Sequence, residues 1–307
     1  MPQLSEPAAE NGQADFDAKA LGQPIRGPGA LGDSWSRFWQ LAYNMARSEF
    51  KLKFFGSALG YLWQVVRPLL LFGVLYVFFV LVFEIDKAKG AARAHYGVQL
   101  LGSIVLFTCF GEATAAAVRS VVDRENIVRK IQFPRLAIPI SVVLLALFNL
   151  ALNLIVVMVF ALVEGVHPML SWLELPLIIL MLTVLTTGVS MLLSALFVRF
   201  RDISPIWEVL SQILFYSSPV IVPAETVRAK LAHGSFHHFL YHVYTLNPLV
   251  AIFQQFRHAM INRSTLSAGQ VMGSWAALIE PLALVAVIIV VGFWVFNREA
   301  PHIAEDL

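Results

Sequence analysis

Long apolar runs, separated by short polar stretches, fill the chain from about residue 61 onward. A helix needs about 20 apolar residues to cross the roughly 30 Å hydrocarbon core of a bilayer. The fold class predicted from this pattern is an all-α integral membrane protein with six transmembrane helices. The fifth apolar run is the weakest of the six because it is short and bounded by prolines. The predicted spans are about 61–83, 98–121, 136–163, 175–198, 206–222 and 275–296.

The composition supports the membrane assignment. Hydrophobic residues make up 58% of the chain and charged residues 14%, against roughly 45–50% and about 25% in soluble domains. A net charge of +2 gives no support for nucleic-acid binding. The single cysteine, Cys109, lies inside an apolar run, so no internal disulfide is predicted. Four histidines between residues 233 and 242 lack the cysteine or HExxH context of a zinc site, so no metal site is predicted either.

The distribution of Lys and Arg predicts the orientation. If the N-terminus is cytoplasmic, 15 of the 22 Lys and Arg residues lie on or near the cytoplasmic side. Cytoplasmic loops of membrane proteins carry such an excess of positive charge. Both termini are therefore predicted to be cytoplasmic, with residues 300–307 as a short C-terminal tail.

The segment ahead of the first span divides in two. Residues 1–34 are rich in Pro, Gly, Ala and Ser and predict a disordered cytoplasmic tail. Residues 35–56 predict an amphipathic helix that carries Trp35, Phe38 and Trp39 on one face and Arg47 on the other. Such a helix lies in the headgroup plane of a membrane. Packing against the cytoplasmic side of the protein itself is the alternative.

A charged island, residues 123–135, separates the second and third predicted spans. Six of its thirteen residues are charged, and an apolar stripe that includes Ile127 and Phe133 runs between them. A solvated turn does not need that stripe, so the island is predicted to be a docking surface for another protein. Its candidate docking residues are Glu125, Asn126, Arg129, Lys130, Phe133 and Arg135.

Two short apolar runs flank Asn247-Pro248 in the stretch 223–274, and neither is long enough to span a bilayer. They predict a re-entrant helical pair between the fifth and sixth spans. Irregular backbone at membrane depth is tolerated only where protein or a water-filled cavity covers it, so the pair is expected beside a pathway.

Polar side chains within the apolar runs are candidates for lining that pathway, because a polar group at bilayer depth usually faces protein or water. Glu112 is the deepest acid, and a structural role for it is an equal alternative. The fifth span adds four polar residues around Phe215, and hydroxyls beside an aromatic ring suit sugars. The candidate pathway residues are Glu112, Gln212, Tyr216, Ser217 and Ser218.

Three ordered groups of residues also carry a family resemblance. The first runs from Arg47 to Pro68 and contains Leu59-Gly60-Tyr61-Leu62-Trp63, and the second is the island, ending in Phe133-Pro134-Arg135. The third contains Arg199-Phe200-Arg201-Asp202, Ser218-Pro219 and Asn247-Pro248. From about residue 35 to residue 297 this order resembles the type-2 ABC transporter permeases that export polysaccharides, such as the O-antigen, teichoic-acid and mycobacterial galactan exporters.

The resemblance implies that the chain, over residues 57–299, is the permease subunit of an ATP-driven exporter in a bacterial cytoplasmic membrane. It implies that the island is a coupling helix, which docks on a nucleotide-binding subunit. The sequence contains no G-x-x-x-x-G-K-[S/T] loop, so ATP and Mg²⁺ are expected on that subunit and no cofactor on this chain. The expected partners are two copies of the ATPase, a second copy of the permease, membrane lipids and a lipid-linked glycan such as a galactan or an O-antigen-like chain.

Other functions stay open at this point. A permease for a drug or a small lipid would share the same fold. A membrane enzyme acting on polyprenyl-linked sugars would need acidic residues facing the membrane, and the only DxD, at residues 15–17, lies in the tail. The expectation is therefore a transport subunit and not an enzyme.

Overall fold

The computed structural model describes residues 34–53, 60–82, 95–130, 133–231, 235–261 and 265–300. In these ranges all regular secondary structure is helical, and no strand is assigned. The predicted N-terminal tail up to residue 33, residues 54–56 of the predicted amphipathic helix and residues 301–307 lie outside the described part of the chain.

Twelve α-helices are present in the described ranges, with a π-helical turn after the second and 3₁₀ turns before the fourth, sixth and twelfth. They are α1 (Trp35–Leu52), α2 (Leu62–Val77), α3 (Tyr96–Ser120), α4 (Glu125–Lys130), α5 (Ala137–Val163), α6 (Leu175–Arg199), α7 (Ile203–Ser217), α8 (Ala224–Lys230), α9 (Ser235–Leu246), α10 (Pro248–Ile261), α11 (Ala268–Val271) and α12 (Ile279–Glu299).

Five helical segments in the described ranges are long and apolar enough to cross a membrane, and they match the first four predicted spans and the last. They are Leu62–Val80, Tyr96–Ser120, Ala137–Val163, Leu170–Arg199 and Ala276–Glu299. The all-helical membrane fold is thus confirmed.

The fifth predicted span, 206–222, is only partly helical, because α7 has 15 residues and ends at Ser217. Ser218 is extended, and the following Pro219 explains this, since a residue before proline avoids the helical conformation. A count of six spans is therefore not confirmed by helix length.

Contacts with α3 show the path that α7 takes. Near one end of α3, Arg119 donates to the Ser204 hydroxyl at 3.4 Å. At the other end, the Tyr96 hydroxyl donates to the carbonyl of Ile221 at 3.1 Å. The segment from Ser204 to Ile221 therefore runs antiparallel to α3 over nearly its whole length, first as a helix and then as a turn. This path supports a crossing by the fifth predicted span, which stays a prediction.

The helix α3 lies at the centre of the bundle and is buried along most of its length, Cys109 included. The helices α2, α5, α6, α7 and α10 surround it, while α12 packs on α6. At the crossing of α6 and α12, a Cβ added to Gly292 would lie 2.3 Å from the carbonyl oxygen of Gly188. Helices in membranes approach closely at such small residues.

The amphipathic helix α1 packs on the end of the bundle that carries the charged island, called the island end. Phe38, Ala42 and Ala46 are buried there, whereas Trp35 and Trp39 are exposed. The aromatic face predicted from the sequence is therefore divided, and its Phe38 side packs on the protein itself. Arg47 is exposed, as expected.

The predicted break at Asn247-Pro248 separates α9 from α10. The Asn247 side chain accepts a hydrogen bond from the Leu249 backbone N–H at 3.0 Å, which stabilises the turn. Beyond it, α10 is inserted between α3 and α6, and the Phe253 ring lies 6.5 Å from the ring of Phe107. Phe107 is about 16 Å along α3 from its first residue, Tyr96, at 1.5 Å per residue. The helix α10 therefore lies inside the bundle beside the break, as predicted for the re-entrant pair.

Candidate coupling surface and transport pathway

The charged island forms a 3₁₀ turn, Val122–Arg124, followed directly by the six-residue helix α4. Val128 is buried among residues of α1, α5, α6 and α12, so α4 is held by its apolar side. Asn126 is exposed and Glu125 is half-buried. Arg129 and Lys130 belong to α4, but their side chains, like that of Ile127, lie outside the described part of the structure.

Arg124 ties the island to α1 and α3. Its guanidinium forms an ion pair with the Glu49 carboxylate and donates to the carbonyl of Ser120 at 3.0 Å. Burial lowers the pKa of this guanidinium, which nevertheless stays charged because an arginine pKa begins far above neutrality. The island is therefore mechanically connected to the amphipathic helix as well as to the central helix.

Phe133 and Arg135 are oriented differently from the sequence-based expectation. Phe133 is half-buried against the cluster around Val128, and Arg135 is buried. The Arg135 guanidinium donates to the carbonyl of Ala300 at the end of α12, where unpaired carbonyls and the helix dipole favour a cation. Both side chains fasten the island to its own chain. The sequence could not show this, because Ala300 lies 165 residues away.

The helix α7 has one face on α3 and one face exposed. The Trp207 indole N–H donates to the Thr114 hydroxyl at 3.1 Å, and Phe215 packs edge-on against Phe107. On the exposed face, apolar residues alternate with a polar line whose members are four residues apart: Glu208, Gln212 and Tyr216. Tyr216 is 67% exposed.

Of the other two pathway candidates on this segment, Ser217 is exposed and Ser218 is buried. The Ser218 hydroxyl accepts a hydrogen bond from the Asn247 side chain at 3.2 Å. Ser218 thus joins the end of α7 to the break between α9 and α10, and it does not line an open surface.

A cavity of about 340 Å³, lined by both polar and aliphatic side chains, opens in the island half of the bundle, between the end of α1 and the helices α2, α3 and α5. Glu112 lies on its wall, 3.5 Å from the Lys53 ammonium, and accepts a hydrogen bond from Gln64 at 3.1 Å. Arg67 and Asn149 complete its polar lining. Glu112 therefore lies beside open space and is also paired within the chain, and its role in a pathway stays a prediction.

Several polar residues at these sites were missed by the sequence reasoning. Glu208 could have been found, because it continues the four-residue spacing of Gln212 and Tyr216 by one step. Gln64 and Arg67 are three residues apart, a spacing that places them on one side of α2. Nothing in the sequence, however, indicates that this side meets Glu112. Among the described residues no three His, Cys, Asp or Glu side chains come together in a way that could hold a metal ion.

Membrane-crossing helices around a central buried helix, a broken helix pair and a folded charged island define a polytopic membrane transport subunit. The chain belongs to the ABC-2 type transporter family, whose model matches residues 40–261. It is 26% identical over 264 residues to an O-antigen export system permease protein RfbA of Klebsiella pneumoniae, and the alignment covers 86% of this chain and 93% of that protein. An RfbA protein of Myxococcus xanthus is 23% identical over 271 residues, with 87% and 95% covered.

Proposed function

We propose that this chain is the membrane subunit of an ATP-driven exporter that moves a lipid-linked polysaccharide out of a bacterial cytoplasm. The observation that carries this proposal is the similarity to O-antigen export permeases over nearly the full length of both proteins. An O-antigen-like glycan is the substrate class that the names of the relatives support. A galactan has no support from them.

The island end is proposed to be cytoplasmic. Arg119, Arg124, Arg199 and Arg298 lie at that end of the bundle, as the positive-inside rule requires of a cytoplasmic side. The aromatic residues Trp35 and Trp39 are exposed beside them, where indole rings suit the membrane–water boundary. Both termini would then be cytoplasmic, with α7 and the turn after it as the fifth of six crossings.

The island is proposed to receive the ATPase subunit. A coupling element has to be exposed on one side and firmly attached on the other, so that its displacement by the ATPase subunit moves the membrane helices. Val128 and the Arg124–Glu49 ion pair supply the attachment, and Asn126 and Asp123 are exposed. Arg129 and Lys130 remain the proposed charged contacts, because charge complementarity at an interface guides docking and orientation.

The exposed face of α7 is proposed to meet the pathway and a second copy of the chain. The face combines aliphatic residues such as Val209 and Ile213, more than half exposed, with the polar line through Gln212. A continuous apolar patch on a membrane helix can face lipid, but the polar line favours water or sugar hydroxyls. If the α7 helices of two permeases face each other, the passage between them would have both apolar and polar walls.

Two measurements on a host strain would test the proposed function. Depletion of the permease should cause a lipid-linked glycan to accumulate inside the cell, and an ATPase should co-purify with the tagged permease. Reversing Arg129 and Lys130 to Glu should weaken that co-purification. The matched control, Lys230→Glu on the opposite end of the bundle, should leave it unchanged. Normal glycan export in the depleted strain, or purification without any ATPase, would contradict the proposal.

A further inference from the structure

A second cavity, of about 430 Å³, opens at the end of the bundle opposite to the island. It lies between the first turns of α6 and α12 and the helices α10 and α11. The other ends of α6 and α12 meet at the island end, where Arg199 and Glu299 form an ion pair at 3.9 Å. The volume falls within the range of about 300–1,000 Å³ that is typical of ligand sites. The cavity is therefore large enough for a ligand and belongs to the half of the membrane farther from the island.

This cavity is polar at its mouth and apolar at depth. Glu174 lies at the mouth, and Met181, seven residues further along the chain, lies on the apolar wall. Gln255 at the mouth and Pro248 at depth have the same separation along α10. Seven residues of helix extend for about 10 Å. Because one leaflet contributes about 15 Å to the hydrocarbon core, the cavity reaches through most of a leaflet.

The outer wall of the cavity faces the hydrocarbon of the bilayer. Leu177 of α6 and Leu282 of α12 border the cavity and are both exposed. The neighbouring exposed positions of α12, such as Ile279 and Val287, are aliphatic as well. An exposed aliphatic face on a membrane-crossing helix is in contact with lipid chains. A lipid chain can therefore enter the cavity directly from the bilayer.

Glu174 is held at the mouth as an unpaired negative charge. Its Oε2 atom accepts a hydrogen bond from the Gln255 side chain at 2.6 Å, and the Gln255 Oε1 atom accepts one from the Ala268 backbone N–H at 3.1 Å. The side chains of Ser171 and Trp172 fasten the turn before it to carbonyls of α10. Glu174 nevertheless makes no ion pair with any cation in the described ranges. A carboxylate held in this way attracts a cationic group and repels an anionic one.

Trp275 forms another side of the mouth. Its indole ring rests on Gly269, where an added Cβ would lie 2.8 Å from the ring. The side chain is exposed, and its indole N–H donates to no residue within the described part of the chain. Tryptophan is enriched at the membrane–water boundary, where its ring contacts lipid chains and its N–H reaches polar groups. The mouth thus offers one acceptor and one donor at the level of the lipid headgroups.

We infer that this cavity binds a phospholipid with an amine headgroup, of the phosphatidylethanolamine type, from the leaflet farther from the island. One acyl chain lies along the apolar wall, the headgroup ammonium donates to Glu174, and the Trp275 indole N–H donates to a phosphate or ester oxygen. The bound lipid fills the space between α10 and α12 and so supports the re-entrant pair. No residue of α7 or of the cavity beside Glu112 contributes to this site. The inference does not depend on which substrate the protein exports.

The test is native mass spectrometry of the full-length permease, purified in neutral detergent and mixed with equal amounts of phosphatidylethanolamine and phosphatidylglycerol that carry the same acyl chains. The unmodified protein should retain phosphatidylethanolamine in preference to the anionic lipid. Glu174→Gln can still accept the hydrogen bond from Gln255 but has no charge. It should weaken retention of phosphatidylethanolamine by about two- to fivefold, as expected for a half-exposed charge pair, and remove the preference. The matched control Glu164→Gln, an exposed carboxylate directly after α5, should keep the preference.

A second variant tests the cavity itself. Ala251→Leu adds aliphatic atoms to the wall and should weaken retention of both lipids. Its control, Ala283→Leu, places the same group on the exposed face of α12 and should have no effect. Thermal unfolding would show that each variant is folded. Phosphatidylethanolamine should also raise the unfolding temperature of the unmodified protein, because a ligand that binds the folded state stabilises it.

Three results would overturn the inference. Equal retention of the two lipids by the unmodified protein, or a preference that survives Glu174→Gln, would exclude the amine headgroup. Unchanged retention by folded Ala251→Leu would show that the lipid binds elsewhere. Displacement of phosphatidylethanolamine by an equal amount of a polyprenyl phosphate would show that the cavity takes the lipid of a substrate instead. Because the assay needs neither ATP nor export, its failure is distinguishable from failure of the transport function.

Discussion

The guanidinium of Arg257, in α10, donates a hydrogen bond to the carbonyl oxygen of Val220 at 2.9 Å. Val220 belongs to the turn that follows α7, so this contact joins the re-entrant pair to the end of the proposed fifth crossing. The same guanidinium also donates to the Ser103 hydroxyl of the central helix at 3.2 Å. A side chain that is 1% exposed thus connects three segments far apart in sequence.

Replacing Arg257 by Met should destabilise the protein. The variant keeps an unbranched side chain of similar length but leaves the Val220 carbonyl and the Ser103 hydroxyl without their donor. Hydrogen bonds to charged groups contribute about 1.5–3 kcal/mol each. The loss of even one such bond should lower the unfolding temperature by several degrees, at roughly 2–4 °C per kcal/mol for proteins of about 150–250 residues. Fluorescence-detected unfolding of the detergent-purified protein would measure the shift.

Lys230→Met is the matched control for this experiment, because Lys230 is an exposed cation near the same end of the bundle. Its unfolding temperature should stay within about one degree of the unmodified protein, since exposed charges contribute little. Equal unfolding temperatures for the two variants would mean that the Arg257 contacts do not stabilise the fold.

Arg257 also shows which contacts cannot be predicted from the sequence. The long apolar runs predict spans well, because the bilayer imposes a minimum length on a crossing helix. Arg257 lies in the stretch 223–274, where the apolar runs predict a re-entrant pair, but nothing in that pattern predicts that its guanidinium is buried within the bundle. Its partner Ser103 is 154 residues away, so no local pattern could have revealed it.

The same distinction applies to the island. Charge and apolar spacing within thirteen residues predict a docking surface there, and the family resemblance implies that it is a helix. The burial of Arg135 could not be predicted, because it depends on the carbonyl of Ala300 at the far end of the chain. Likewise, the Ser218-Pro219 pair predicts that the helix of the fifth span ends early. Only the contacts with Arg119 and Tyr96 show that the segment extends along nearly the whole of α3.

The crossing of α6 and α12 should not tolerate a side chain at Gly292. A Cβ there would lie 2.3 Å from the Gly188 carbonyl oxygen. Both residues lie inside helices, so neither can move aside without moving its whole helix. Gly292→Ala should therefore force the two helices apart and reduce the yield of monodisperse protein. Size-exclusion chromatography of the detergent-solubilised protein would measure this.

Gly73→Ala is the control for the glycine prediction. A Cβ at residue 73 in α2 meets no atom within 4 Å. Alanine in a helix interior is favoured over glycine by about 1 kcal/mol, so this variant should be neutral or more stable. The prediction fails if the two alanine variants behave alike.

The polar line on α7 should matter for export and not for folding. Gln212→Leu and Tyr216→Ala remove the hydrogen-bonding groups proposed to face the sugar chain, and both positions are exposed. We expect export of the glycan to fall severalfold in each variant, while the amount of folded protein in the membrane is unchanged. Ile213→Val changes an apolar residue on the same exposed face and should export normally. Normal export by both polar variants would exclude α7 as a wall of the pathway.

Cysteine labelling from the two sides of the membrane would decide whether α7 crosses it. Cys109 is buried in the central helix, so a membrane-impermeant maleimide should leave the unmodified protein unlabelled in intact cells. Asp202 and Val222 are both exposed and flank the segment in question. If the chain passes from one end of α3 to the other, Val222→Cys should react in intact cells, whereas Asp202→Cys should react only after the membrane is opened. Reaction of both variants from the same side would show that α7 does not cross, leaving five spans and placing the two termini on opposite sides.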